Sequence, residues 1–220
     1  HQVIPYNRDI MTCPSCGEKG ILDIEYDYKA MRKFVDLNYF KNQDDSSMWR
    51  YAPMLPVEKE HINRMLKIGG TPLYHAERLG KELGLKRVYI KDEGLNPSAS
   101  LKDRASGVAV LKAIESGYDT ISCSSTGNAA SSLACHAARM GLKTVIFVPK
   151  RAPIGKLNQL LIYGSDVISV DGDYKDTFNL SKLAIDAYGW YNRNAAINPH
   201  LVEGKKTVAL EIAEQLEFKL

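Results

Sequence analysis

Between residues 120 and 188 the chain repeats one pattern three times, and that pattern leaves few architectures open. Short apolar runs at 120–123, 144–148 and 166–170 each lead through a loop into a longer segment of helical period, at 129–140, 154–163 and 174–188. The runs are rich in Val and Ile and hardly alternate, as strands read when both faces of a parallel sheet are covered. Parallel neighbours need a long crossover connection, which a helix supplies. The expected fold is therefore α/β, with parallel strands flanked by helices.

The preceding segments read less regularly. Residues 71–74 are extended, 76–83 form a helix stopped by Gly84, and 87–91 form a strand. Residues 94–100 read as a loop and 101–116 as a helix ended by Gly117. Nearer the start, Cys13-Pro14-Ser15-Cys16-Gly17 is a tight turn, and 21–26 alternates like a strand. A weak helix is expected at 28–34, a loop at 42–47 and a stronger helix near 59–66. An amphipathic helix at 207–216 stands four residues before Leu220, and a doubly wound protein rarely stops there, so a missing C-terminal part is expected.

Composition excludes several classes. The 29 basic and 26 acidic residues are interspersed and leave a net charge of only +3, which gives no footprint for nucleic acid. No apolar run approaches the roughly 20 residues of a membrane helix, and the first residues lack the build of a signal peptide. A cytoplasmic protein with no membrane partner is expected. Gly155-Lys156 and Gly204-Lys205 lack the earlier glycine of a nucleotide loop, since Lys150 and Pro199 stand there.

Two segments carry chemistry. In Asn96-Pro97-Ser98-Ala99-Ser100-Leu101-Lys102-Asp103-Arg104, Asn-Pro forces a turn and Ser100 caps the following helix, so Lys102 falls in its first turn. A helix start and burial both disfavour an ammonium group, and Schiff-base chemistry needs the free amine. The plainer reading is a surface lysine. In Ser122-Cys123-Ser124-Ser125-Thr126-Gly127-Asn128, a strand ends, small and polar residues turn, and an Ala-rich helix begins. Such a helix start binds anions, with hydroxyls from Ser124, Ser125 and Thr126 and close backbone approach at Gly127. Its plainer reading is an ordinary capped turn.

Taken in order, Gly70-Thr71-Pro72-Leu73, Lys91-Asp92-Glu93-Gly94-Leu95-Asn96-Pro97, the Lys102 segment and Ser125-Thr126-Gly127-Asn128 resemble the fold-type II pyridoxal-phosphate (PLP) enzymes. Asn198-Pro199-His200-Leu201-Val202-Glu203-Gly204-Lys205-Lys206-Thr207 resembles the threonine synthase family within them. The resemblance implies two lobes, one formed by 103–197 and a larger one by 29–102 plus 198–220, after an N-terminal knuckle at 1–28. It implies PLP held by Lys102, a hydrogen bond from Asn128 to the cofactor's ring hydroxyl oxygen, and a substrate carboxylate cradled by Ser124, Ser125, Thr126 and Gly127. It implies O-phospho-L-homoserine and water as reactants, threonine and phosphate as products, and a homodimer. The substrate phosphate needs cations, for which Lys205, Lys206 and Arg193 are candidates, because Leu201 stands where some members carry arginine. Cysteate synthase and serine/threonine dehydratase chemistry remain alternatives, as does a non-catalytic module. The glycine-rich loop that grips the cofactor phosphate lies later in such enzymes. Cys13 and Cys16 are half of a zinc ribbon, which needs four ligands; an inert reduced turn and a redox pair stay open beside it.

Overall fold

The computed structural model describes residues 3–7 and 10–219, with the side chain of Glu18 left aside. The chain begins with a small antiparallel pair, β1 (Thr12–Cys13) and β2 (Gly17–Ile21). Strand therefore precedes the alternating run at 21–26, because the Cys13–Gly17 turn forces pairing at once. Two short helices follow, α1 (Tyr28–Met31) and α2 (Leu37–Lys41), each capped by an aspartate, Asp27 or Asp36. Two 3-10 segments, Met48–Met54 and Lys59–Arg64, come next. The second replaces the α-helix expected near 59–66.

A second antiparallel pair joins β3 (Leu73–His75) to β4 (Tyr89–Lys91) around α3 (Glu77–Leu83). Then come α4 (Lys102–Glu115), β5 (Thr120–Ser124), α5 (Asn128–Met140), β6 (Lys143–Pro149), α6 (Ile154–Ile162), β7 (Asp166–Val170), α7 (Tyr174–Tyr188), β8 (Tyr191–Asn192) and α8 (His200–Gln215). The four later strands form one parallel sheet in the order β7-β6-β5-β8. The expectation from the apolar runs holds: β5 is buried along its whole length, and β6 is buried from Thr144 to Val148. The edge strand β7 is largely exposed.

Helix α4 is the hub. Every residue from Asp103 to Ala113 is buried, because α5 packs on one side and α8 on another. Small residues make this approach possible. A Cβ on Gly204 of α8 would stand 2.2 Å from the Arg104 carbonyl oxygen, so the two helices touch backbone to side-chain-free backbone. Helix α8 begins at His200, a full two turns before the amphipathic period is visible, since Gly204 and the charged residues around it hide the pattern.

Candidate active site

The turn into α4 is built from its own polar side chains. The Ser100 hydroxyl accepts a hydrogen bond from the Lys102 N–H at 3.1 Å, the cap expected from sequence. Ala99 just before it has φ 56°, in the left-handed region where glycine is at ease. Lys102 is the first residue of the helix and is half-buried. Its neighbour Asp103 is fully buried, accepting from the Ser98 N–H at 2.7 Å, the Ser98 hydroxyl at 2.5 Å and His136 Nε2 at 3.1 Å. Burial alone would raise the Asp103 carboxyl, but hydrogen bonds from His136 and Ser98 outweigh it and hold the group below its usual range. The loop before Lys102 is thus tied to α5.

Arg104, also fully buried, ties the same turn to the other side. Its five N–H donors meet Glu93 at 2.7 and 2.8 Å, Glu211 at 2.7 and 2.8 Å and Thr207 at 2.9 Å. Lys91 adds a second cation on Glu211 at 2.8 Å. Glu93 also accepts from Thr71 and Asn96, and Glu211 from the Gly70 N–H, so the Gly-Thr-Pro segment and the Asn-Pro turn hang on one cluster. Sequence reading found Asp103 and Arg104 only as companions of Lys102. Their signal was the motif itself, while the partners His136 and Glu211 stand in unremarkable helical positions.

The second segment falls where the strand reading put it. Ser124 ends β5, Gly127 precedes α5 without a side-chain cap, and the Ser125 hydroxyl accepts from the Gly127 N–H at 3.2 Å. Asn128 is exposed, and its side-chain oxygen accepts from Lys156 Nζ at 3.4 Å, which uses the amide's acceptor and not its donors. Successive strand residues face opposite ways. Ser122 and Ser124 therefore share one face of β5, and Cys123 faces the other.

Arg193 follows β8 directly. Its N–H donates to the Ser122 carbonyl at 2.9 Å, and its side chain crosses to α4, where Nη2 donates to the Ser106 hydroxyl at 3.1 Å. Ser106 lies one turn beyond Lys102, on the same helical face. Arg193 is 2% exposed, and its Nε has no hydrogen-bond partner. Lys205 on α8 completes the group: burial first, then the positive charges of Lys102 and Arg193, push its ammonium below the ordinary lysine value. Lys206, by contrast, is engaged by Glu203 and lies 4.1 Å from the Tyr26 ring centroid.

Cys13 and Cys16 sit across their turn, with Gly20 so close that a Cβ there would stand 2.8 Å from the Cys16 Cβ. The backbone N–H groups of Cys16 and Ser15 lower the Cys13 thiol. Among the described residues no group of three His, Cys, Asp or Glu could hold a metal ion, and no helix is long and apolar enough to cross a membrane.

Residues 64–220 match the family described as pyridoxal-phosphate dependent enzyme. The chain is 40% identical to a threonine synthase of Methanosarcina acetivorans over 98% of its length, and 41% identical to one of Methanocaldococcus jannaschii over 96%. It spans about half the length of these curated relatives, 52% and 51%. Among solved structures, O-ureido-L-serine synthase is 26% identical with a TM-score of 0.63, covering 75% of this chain and 53% of that one. The diaminopropionate ammonia lyase of Escherichia coli has a TM-score of 0.66 at 21% identity, covering 84% and 58%, a likeness of fold.

Proposed function

The chain belongs to the family of pyridoxal-phosphate dependent enzymes, and from that premise we propose that it carries the lysine-bearing portion of a threonine synthase acting on O-phospho-L-homoserine and water. The observation that carries this reading is the 40% identity to a threonine synthase along 98% of the chain. The residues also fit the cofactor and an anionic substrate. Lys102 offers a half-buried amine on an otherwise buried helix. A Cβ placed on Gly127 would meet nothing within 4 Å, so the turn before α5 has room for a ligand.

In this proposal Lys102 holds PLP, and Asn128 donates to its ring hydroxyl oxygen. Bound PLP supplies an electron sink for the charge that develops at the substrate Cα. Lys102 Nζ removes the Cα proton, then a Cβ proton, and returns one to Cα at the end. Thr126 and the start of α5 present backbone N–H groups to the substrate carboxylate, with Gly127 giving close backbone approach. Ser124 would contribute its hydroxyl, which has no partner among the described residues, since its backbone N–H already donates to Asn194 Oδ1 at 2.9 Å. Lys205 is the half-buried cation for the substrate phosphate. The two lobes would be 103–197 and 29–102 with 198–220, and Cys13 and Cys16 would be half of a zinc site, tested by metal analysis of the full-length gene product.

The functional test is an assay of that full-length product with O-phosphohomoserine, following phosphate and threonine. Equal release of both is expected. Phosphate without threonine would reject the reading, as would ammonia release from threonine or serine with no turnover of the phosphorylated substrate. Lys102→Ala should abolish the cofactor's protein-linked absorbance and reduce turnover by more than about 10²-fold, the lower range for a lost general base.

A further inference from the structure

We propose that His136 is a positioning residue for the Lys102 amine: through the buried Asp103 it locks the start of α4 to α5, and so fixes the span between that amine and the turn ahead of Asn128. This rests on the function proposed above and deepens it.

The case begins with what holds Lys102. Among the described residues its amine makes no hydrogen bond, while its backbone N–H donates to the Ser100 hydroxyl at 3.1 Å. The direction of the amine is therefore set by the turn that carries it. The next residue closes that turn. Asp103 reaches back to the Ser98 N–H and hydroxyl, and across the core to His136 Nε2 at 3.1 Å. The bonds to Ser98 stay within the turn, and the Arg104 cluster fastens it to α8. Among the described residues the His136 bond is the one side-chain hydrogen bond between α4 and α5. The rest of that contact is packing, which has no direction of its own, whereas a hydrogen bond fixes distance and angle.

Packing does not explain a histidine here. His136 and Asp103 are both 0% exposed. Helix α5 is otherwise built mostly of Ala, Ser and Leu, and an apolar side chain would fill the same space. Instead His136 Nδ1 is buried with no partner, a cost that an apolar residue would not carry. The idle Nδ1 fits the neutral tautomer, with the proton on Nε2 and donated to the carboxylate. Burial opposes the Asp103 charge, and the His136 bond is the largest of the effects that overcome it. Helix α5 begins at Asn128, about two turns before His136, and its first turn offers N–H groups to the substrate carboxylate. The bond from His136 to Asp103 thus joins the element that carries the amine to the element that carries the cradle. A general base must stand within reach of the proton it takes, and a misplacement of about 1 Å costs on the order of 100-fold.

The experiment uses the full-length protein, freed of cofactor and then given PLP, and follows the protein-linked absorbance that Lys102 forms with it. His136→Met keeps the bulk and removes the donor. It should gain that absorbance about tenfold more slowly than the parent. Once loaded, it should show kcat lowered about 10- to 100-fold, with KM moved by less than about threefold because the cradle on α5 is unaltered. His136→Gln places an amide N–H near the Nε2 position and should bring both rates back to within about threefold of the parent. Leu160→Ala opens a cavity in the buried face of α6 and is the control for lost stability. It should lower the urea midpoint and leave both rates at the parent level. Should His136→Met fail to fold, Asp103→Asn combined with it also removes the stranded charge, and the same slowing is expected. Parent rates in folded His136→Met, or in the combined variant, overturn the proposal. So does a Gln variant no faster than the Met variant, or an equal slowing in Leu160→Ala. If the parent takes up PLP through Lys102 but does not turn over O-phosphohomoserine, the threonine synthase reading falls, and the uptake rates still decide the role of His136.

Discussion

Two buried arginines meet at α4, Arg104 from within the helix and Arg193 from the end of β8, and they are treated very differently. Arg104 has all five donors in hydrogen bonds to two carboxylates and a hydroxyl. Among the described residues the Arg193 side chain has one hydrogen bond, to Ser106, and an idle Nε. The first is saturated by the fold and leaves nothing for a ligand. The second is left incomplete on the face that carries Lys102. The contrast separates two uses of a buried charge: a balanced one holds elements together, and an unbalanced one adds desolvation cost that few hydrogen bonds offset.

The contrast can be broken most directly at Arg104. Arg104→Met leaves the buried Glu211 and the half-buried Glu93 with too little positive charge, and should cost about 3–5 kcal/mol, read as a lower urea midpoint. An unchanged midpoint would mean the cluster is not what joins α4 to α8. Acid should act on the same cluster. Burial alone would raise the Glu211 carboxyl, but hydrogen bonds and charge from Arg104 hold it below its ordinary 4.5, and Glu93 is held down in the same way. Groups with depressed folded values contribute stability above pH 4.5 that is lost as pH falls through those lower values. Melting curves from pH 6 down to about pH 3 should show that loss in the parent protein and a smaller one in Arg104→Met.

A smaller effect is expected from Gly204→Ala. Its methyl would meet the Arg104 carbonyl oxygen at 2.2 Å, forcing α8 off α4 at about 1–3 kcal/mol by the same urea measurement. The smallest effect sharpens the comparison most. Arg193→Met in phosphate-free buffer should change stability by less than about 1 kcal/mol, or raise it, because an uncompensated buried charge is replaced by an apolar chain. A destabilisation as large as that of Arg104→Met would erase the distinction between the two arginines.

Much of the architecture was visible in the residues. The strand at 166–170 and the helix at 174–188 match their elements end to end, because Val167, Ile168 and Val170 are β-branched and Gly189 closes the helix in the left-handed conformation. The cap at Ser100 was equally legible. What escaped was whatever depends on distant partners. Nothing near Lys102 announces that Asp103 meets His136 or that Arg104 meets Glu211, since those contacts span α5 and α8. The helix beginning at His200 hid its start because Glu203, Gly204 and Thr207 are buried for packing and pairing and break the apolar period. Arg193 was named among three cations, and only its burial and idle donor separate it from Lys206.

Ala99 has a consequence of its own. It is exposed, holds φ 56°, and keeps a methyl group where the backbone turns left-handed. An L-residue there costs roughly 1–2 kcal/mol relative to an ordinary conformation. Glycine would relieve that cost yet let the three residues ahead of Lys102 wander. Position 99 is therefore a stiffness dial for the amine: Ala99→Gly alters no side-chain contact, only how firmly the run-up to the helix points its first residue.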